Sequence, residues 1–182
     1  MMPDAQKQSL GGGNISKTIA KHIRCSECDT PTSEEDIFVI DNAPICRCCL
    51  FGETEPIQIY PIGFVSNAQE RDDSDFGLKN HADTSQIKLH PSQKPFMYKL
   101  EEEAHLTIVY YLHKARPIRS RFKRGLDGKE VGVFASRTPD RLSPIGIQKV
   151  QLVQIKGTTL IVEGLDAIDG TPVLDIKMCW HT

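Results

Sequence analysis

Apolar residues recur along this chain in short bursts at strand spacing, not in long helical stripes. Gln86-Ile87-Lys88-Leu89-His90 alternates polar and apolar, as a half-buried strand does. Ile57 to Val65 is rich in β-branched and aromatic residues, and His105 to Leu112 is a nearly unbroken apolar run suited to a central strand. Val131 to Ala135 is a shorter one. Lys149 to Ile155 alternates, Gly157 marks a turn, Thr159 to Val162 runs back, and Val173 to Ile176 closes the series. Seven short strands without strand–helix alternation predict a mainly β protein, a closed or nearly closed barrel, and argue against a doubly wound sheet. Glu70 to Thr84 reads as a long polar loop, and Ser16 to Ile23 as a turn or two of helix.

The same pattern divides the chain. Residues 1–24 read as a flexible segment, polar and then Gly11-Gly12-Gly13; 25–50 as a small compact unit; Phe51 to Pro56 as a connector; and 57–182 as the barrel. The glycine run has no strand before it and no Lys-Ser/Thr after it, so it is not a phosphate-binding loop, and no G-x-G-x-x-G is present.

Five of the six cysteines fall between Cys25 and Cys49. A disulfide scaffold spreads its cross-links along the fold, whereas clustering points to a metal. Cys25-Ser26-Glu27-Cys28 and Cys46-Arg47-Cys48-Cys49 form two C-x-x-C knuckles, and four thiolates so paired close tetrahedrally around zinc. Between them Asp36 to Ile40, the turn Asp41-Asn42 and Ala43 to Ile45 read as a hairpin. The expected ligands are Cys25, Cys28, Cys46 and Cys49, with Cys48 as the alternative to Cys49 or as a close neighbour. Buried free thiols and an iron–sulfur cluster are the competing readings. Four thiolates leave no open position, so such a zinc site is structural.

The chain has 182 residues and a net charge of −2, so any nucleic-acid surface must come from local clustering of cations. Lys114 to Arg124 supplies one: Lys114, Arg116, Arg119, Arg121, Lys123 and Arg124, with no acid among them. Arginine forks suit phosphate, and Phe122 suits stacking on a base. The competing reading is an edge strand or loop protected by charge. No apolar run reaches the roughly 18–20 residues of a membrane span, and Met1 to Leu10 lacks the apolar core of a secretory signal. A cytoplasmic protein with no membrane partner is expected.

Gly132-Val133-Phe134-Ala135-Ser136-Arg137-Thr138-Pro139-Asp140-Arg141-Leu142-Ser143-Pro144-Ile145-Gly146 resembles the signature of the TsaA-like, or TrmO, family, which reads G-V-F-A-T-R-S/T-P-x-R-P-N-P-I-G. Gly164-Leu165-Asp166-Ala167-Ile168-Asp169-Gly170-Thr171-Pro172-Val173-Leu174-Asp175-Ile176-Lys177 resembles its second run almost throughout. Pro61 to Val65 looks like the opening strand and His105 to His113 like the histidine-bounded aromatic strand. Leu142-Ser143 replaces the usual Pro-Asn, and the Pro-Arg-Gln segment after the first strand has no clear counterpart.

The resemblance implies a single-sheet β-barrel working as a homodimer, with S-adenosylmethionine near the subunit interface and methylation of N6 of threonylcarbamoyladenosine beside the tRNA anticodon. It places the cofactor contacts at His113, Lys114, Arg137, Ile147 and Asp166 to Asp169, which includes Ala167 and Ile168. Arg116, Arg119, Arg121, Lys123 and Arg124 are the expected RNA contacts. A methyltransferase for another nucleoside or metabolite, and a non-catalytic zinc-containing RNA-binding or adaptor protein, are the alternatives.

Taken residue by residue, Arg137 suits a carboxylate or a phosphate, or a surface ion pair. Asp166 and Asp169 suit ribose hydroxyls or the cofactor's amino group, or the capping of a polar turn. His113 is a weak catalytic candidate, as proton acceptor or as a group that orients the ligand. Tyr110 and Tyr111 read as packing residues. Pro144-Ile145-Gly146 reads as a loop in which glycine lets backbone approach a ligand.

Overall fold

The computed structural model describes residues 22–68, 84–114, 117–125 and 127–179. These fall into two compact units: one takes in the described residues up to Phe38 with Pro44–Gly52, the other Val39–Ala43 with Glu53 onward.

The first unit carries β1 (His22–Arg24), which pairs antiparallel with β2 (Pro31–Ser33). Ile23 is therefore extended, not helical; residues 16–21 of the expected helical stretch lie outside the described residues. The chain continues through β3 (Ile37–Ile40) and β4 (Ala43–Cys46), joined by Asp41-Asn42, into the short helix α1 (Arg47–Phe51). Both turn residues have positive φ, 49° and 67°, the conformation a two-residue hairpin turn demands and the one Asp and Asn tolerate best. The hairpin expected from the sequence is present.

The second unit is a closed, six-stranded barrel. Its strands are β5 (Gly63–Ser66), β6 (Thr84–Leu89), β7 (His105–Tyr111), β10 (Ile145–Lys156), β11 (Thr159–Glu163) and β12 (Pro172–Met178), hydrogen-bonded in the order β10-β11-β6-β5-β12-β7 with β7 closing on β10. Every pairing is antiparallel. Closure leaves no free sheet edge. Period-two alternation fills the inside: Ser85, Ile87 and Leu89; Leu106, Ile108 and Tyr110; Leu160 and Val162 are buried. Register shifts between Leu152 and Gln154 and between Val173 and Asp175 are the bulges that let so small a barrel curve.

Outside the barrel, β8 (Arg121–Lys123) and β9 (Glu130–Gly132) form a separate ribbon. The expected strand Val131 to Ala135 is shorter than read, because Val133–Ala135 turns into a 3-10 helix. The expected strand Ile57 to Val65 begins only at Gly63: Pro61 has no N–H to give a ladder, and Ile57, Ile59 and Tyr60 are exposed. The expected loop Pro144-Ile145-Gly146 is also corrected, since Ile145 and Gly146 open β10 and pair with Tyr111 and Tyr110. Of the expected loop Glu70 to Thr84, residues 70–83 lie outside the described residues and Thr84 begins β6.

Candidate functional site

A cavity of about 720 Å³ opens at one end of the barrel. Four stretches far apart in sequence build its wall: Tyr110 with Leu112 to Lys114 at and after the end of β7, Ala135 to Pro139 with Arg141, Ile145 to Gln148 at the start of β10, and Asp166 to Ile168 with Thr171. Phe122 and Arg124 contribute from β8 and its end.

Local hydrogen bonds shape each stretch. The guanidinium of Arg141 donates to the carbonyls of Thr138 (2.8 Å), Ser136 (2.7 Å) and Val133 (3.2 Å), folding the 133–139 segment around itself. Arg137 projects from that segment and is exposed. Asn67 binds the acidic turn from two sides. Its amide nitrogen donates to the Ala167 carbonyl and the Ser85 hydroxyl, both at 2.9 Å, and its N–H donates to Asp169 Oδ1 at 3.0 Å. The Tyr110 hydroxyl donates to the Asp166 carbonyl at 2.9 Å, joining β7 to the same turn. Burial, then the Asp166 carboxylate, pushes the Tyr110 phenol up to about 12, partly opposed by Arg137. Asp166 and Arg137 thus both act on one buried hydroxyl.

His113 sits at the rim, half-buried. Burial, then the Lys114 charge, lowers its pKa below the ordinary imidazole value, with Asp169 opposing. Its Nδ1 is buried and has no hydrogen-bond partner among the described residues. A buried orphan of this kind is costly until a ligand or water satisfies it.

His113, Lys114, Arg137, Ile147, Asp166, Ala167 and Ile168 therefore share one wall. Asp169 is not on it; its carboxylate holds Asn67. Arg124 lines the cavity and pairs with Asp127. Arg119, Arg121 and Lys123 are exposed, and Arg116 lies outside the described residues. Tyr111, expected to pack, is instead 43% exposed, because it points to the outer face of β7. Arg141 and Asn67 were not singled out from sequence. Arg141 stood inside the quoted motif, whereas nothing near Asn67 signals its role.

The cysteines form a second centre, in the first unit. The sulfurs of Cys25, Cys28, Cys46 and Cys49 all lie within 4.8 Å of one another. Cys28 and Cys46 Sγ are 3.8 Å apart. A zinc ion with bonds of about 2.3 Å sets tetrahedral sulfurs about 3.8 Å apart, so the spacing fits. Backbone N–H groups also aim at sulfur: Cys46 to Cys25 Sγ at 3.2 Å, Glu27 to Cys25 Sγ at 3.4 Å, Cys49 to Cys46 Sγ at 3.4 Å. Led by the Cys46 N–H, they pull the Cys25 thiol down to about 6, while the crowding sulfurs of Cys28 and Cys46 push Cys49 up. Packed thiols that resist losing all their protons are what a divalent cation would relieve. Cys48 is exposed on α1 and outside the cluster.

The family described as tRNA-methyltransferase O N-terminal domain matches residues 76–181. A "probable S-adenosyl-L-methionine-binding protein" of Methanothermobacter thermautotrophicus is 37% identical over 123 residues, 66% of this chain and 88% of that one. A tRNA (adenine(37)-N6)-methyltransferase of Mus musculus is 40% identical over 81 residues, 43% of this chain and 19% of that one. A crystal structure of TrmO from Pseudomonas aeruginosa superposes with a TM-score of 0.54 at 26% identity, covering 69% of this chain and 57% of that one. The chain spans only 26% and 50% of two further relatives, from Archaeoglobus fulgidus and Pyrococcus abyssi. The family match covers most of the barrel, including every stretch that builds the cavity: the chain belongs to the tRNA-methyltransferase O family.

Proposed function

We propose that the barrel binds S-adenosylmethionine in the cavity and that the chain methylates N6 of an adenosine in tRNA, the threonylcarbamoyladenosine beside the anticodon. The observation that carries this is convergence: His113, Arg137 and Asp166 meet in one cavity although they come from three separate segments.

The residues suit the cofactor. The Arg137 guanidinium and the Lys114 ammonium offer positive charge for its carboxylate. Asp166 offers an acceptor for ribose hydroxyls or the amino group, and Ile147, Ile168 and Leu112 offer apolar surface for a purine. When bound, the cofactor supplies an activated methyl on sulfonium, so the protein needs no nucleophile of its own. What remains for this chain is alignment and exclusion of water. Asn67 and Tyr110 both fix the Asp166 turn by hydrogen bonds, and Arg141 fixes the loop that carries Arg137. His113, held neutral by burial, can accept a hydrogen bond or a proton from the acceptor nitrogen.

The outer face beside the cavity is apolar. Tyr111, Ile145 and Ile147 are 43%, 39% and 59% exposed on neighbouring strands β7 and β10. This favours a homodimer in which a second copy covers that face and Ile147 completes the cofactor site from its edge. Arg119, Arg121, Lys123 and Arg124 are the RNA contacts in this reading, joined by Arg116, and the tRNA substrate suits the cytoplasmic setting expected from sequence. The four cysteines hold a structural zinc ion, for which the sulfur spacing and the N–H donors are the support.

Calorimetry with S-adenosylmethionine tests the cofactor site, and no binding at millimolar cofactor would leave only an adaptor role. Mass analysis of tRNA nucleosides from a deletion strain tests the substrate: the N6-methylated threonylcarbamoyl nucleoside should disappear, and an unchanged level rejects the assignment.

A further inference from the structure

Ser120 is held from both sides of its backbone. Its N–H donates to the two carboxylate oxygens of Asp41, at 3.1 and 3.3 Å, and its hydroxyl donates to Oδ2. Its carbonyl accepts the Val133 N–H at 3.1 Å. Asp41 N–H in turn donates to the Ile118 carbonyl at 3.3 Å, and Ile118 forms an isolated parallel bridge with Ile40. The left-handed turn Asp41-Asn42 thus grips the chain just before β8. The Ser120 hydroxyl and N–H, helped by the charges of Arg119 and Arg121, hold the Asp41 carboxyl below its usual range.

The gripped segment has two faces. Arg119, Arg121 and Lys123 are exposed at alternate positions, while Phe122 and Arg124 line the cavity. Alternate residues of an extended chain project on the same side, about 6.6 Å apart. Lys123 stands opposite Glu130 in the ribbon, whereas Arg121 stands opposite Gly132. The two arginines that flank Ser120 are therefore the strongest phosphate donors of the segment, and Ser120 is the residue whose backbone sets their direction.

We propose that Asp41 is a positioning residue for the RNA substrate: by pinning Ser120 it holds Arg119 and Arg121 side by side, beside the cavity, to take neighbouring phosphates. This rests on the reading of tRNA as substrate. Asp41 does not itself meet RNA. Both its oxygens are occupied by Ser120, and a carboxylate would repel phosphate. Its effect is to order two long side chains' anchor point before binding, which lowers the entropy lost on association.

Fluorescence anisotropy with tRNA and steady-state methylation test this on the full chain. Asp41→Ala should weaken tRNA binding about tenfold, the size of a lost charge-assisted hydrogen bond. It should also flatten the slope of log affinity against log salt by about one to two, since each phosphate contact contributes roughly 0.7–0.9. The KM for tRNA rises while kcat stays within about twofold and S-adenosylmethionine affinity is unchanged. Asp41→Asn, which keeps an acceptor for the Ser120 N–H, should recover most of the binding. Ser120→Ala, which removes only the hydroxyl, should cost about threefold. In an Arg119→Ala/Arg121→Ala background, Asp41→Ala should add no further loss. A parent-like affinity and salt slope in Asp41→Ala, or a full further loss in the double-arginine background, overturns the positioning role alone. Failure of the parent chain to bind tRNA overturns the substrate reading, and the positioning role with it.

Discussion

The ring of Tyr110 lies across Gly146. These residues pair between β7 and β10, and a Cβ on Gly146 would fall 2.4 Å from two ring carbons of Tyr110. The glycine is therefore a matter of space, not of turn geometry: it admits a buried aromatic whose hydroxyl reaches the Asp166 carbonyl. Gly146→Ala should expel the ring, destabilise the barrel by about 1–3 kcal/mol as overpacking does, and lower cofactor affinity by freeing the Asp166 turn. Urea unfolding and calorimetry measure the two effects. Alanine tolerated at full stability would mean that the ring has room to move.

Arg137 and Asp166 are exposed on the cavity wall, so their substitution should spare the fold. Arg137→Ala should weaken S-adenosylmethionine binding by about 10- to 100-fold, the range of a hydrogen bond to a charged group, with an unchanged melting temperature. Asp166→Asn should weaken it less, since the amide still accepts. Parent-like affinity in Arg137→Ala would move the carboxylate contact to another cation.

His113 sets a pH dependence. Burial lowers its folded-state pKa below the ordinary value of about 6.5, so between the two values the unfolded chain binds the proton that the folded one refuses. Stability contributed by the neutral imidazole is present above about pH 6.5 and is lost as pH falls through that window. Denaturant midpoints at pH 7.5 and 5.5 should differ more in the parent than in His113→Gln. Methylation should fall at lower pH, once pH drops through the lowered folded-state pKa and the imidazole charges and ceases to accept a proton. Equal midpoint shifts in the two proteins would remove His113 from the acid limb.

One zinc ion per chain is expected by elemental analysis. Cys25→Ser/Cys28→Ser should lose it, and Cys48→Ser, outside the cluster, should keep it. The first unit is small enough that metal loss should unfold it while the barrel persists, so circular dichroism after chelation should report a partial change. Zinc retained in the double variant would place the metal elsewhere.

The barrel was legible because a strand buried on one face must alternate, and Gln86 to His90 and Lys149 to Ile155 do so plainly. The hairpin between the knuckles was legible too, since Asp41-Asn42 is one of few pairs that tolerate left-handed backbone at both positions. Strand limits were less so. Ile145 and Gly146 looked like a loop because proline and glycine usually punctuate, and only the register with Tyr111 and Tyr110 shows them laddered.

Sequence alone determined the alternation that makes strands, the paired cysteines at a zinc-compatible spacing, and the two runs that carry the family. These are local properties, written in neighbouring residues. Tertiary structure alone decided what meets what. Tyr110 and Asp166 are 56 residues apart, Asn67 and Ala167 100, Asp41 and Ser120 79. No periodicity links such pairs. Each contact exists because barrel closure and the ribbon beside it bring distant backbone within hydrogen-bond reach, and a buried donor then takes the acceptor that the fold presents to it.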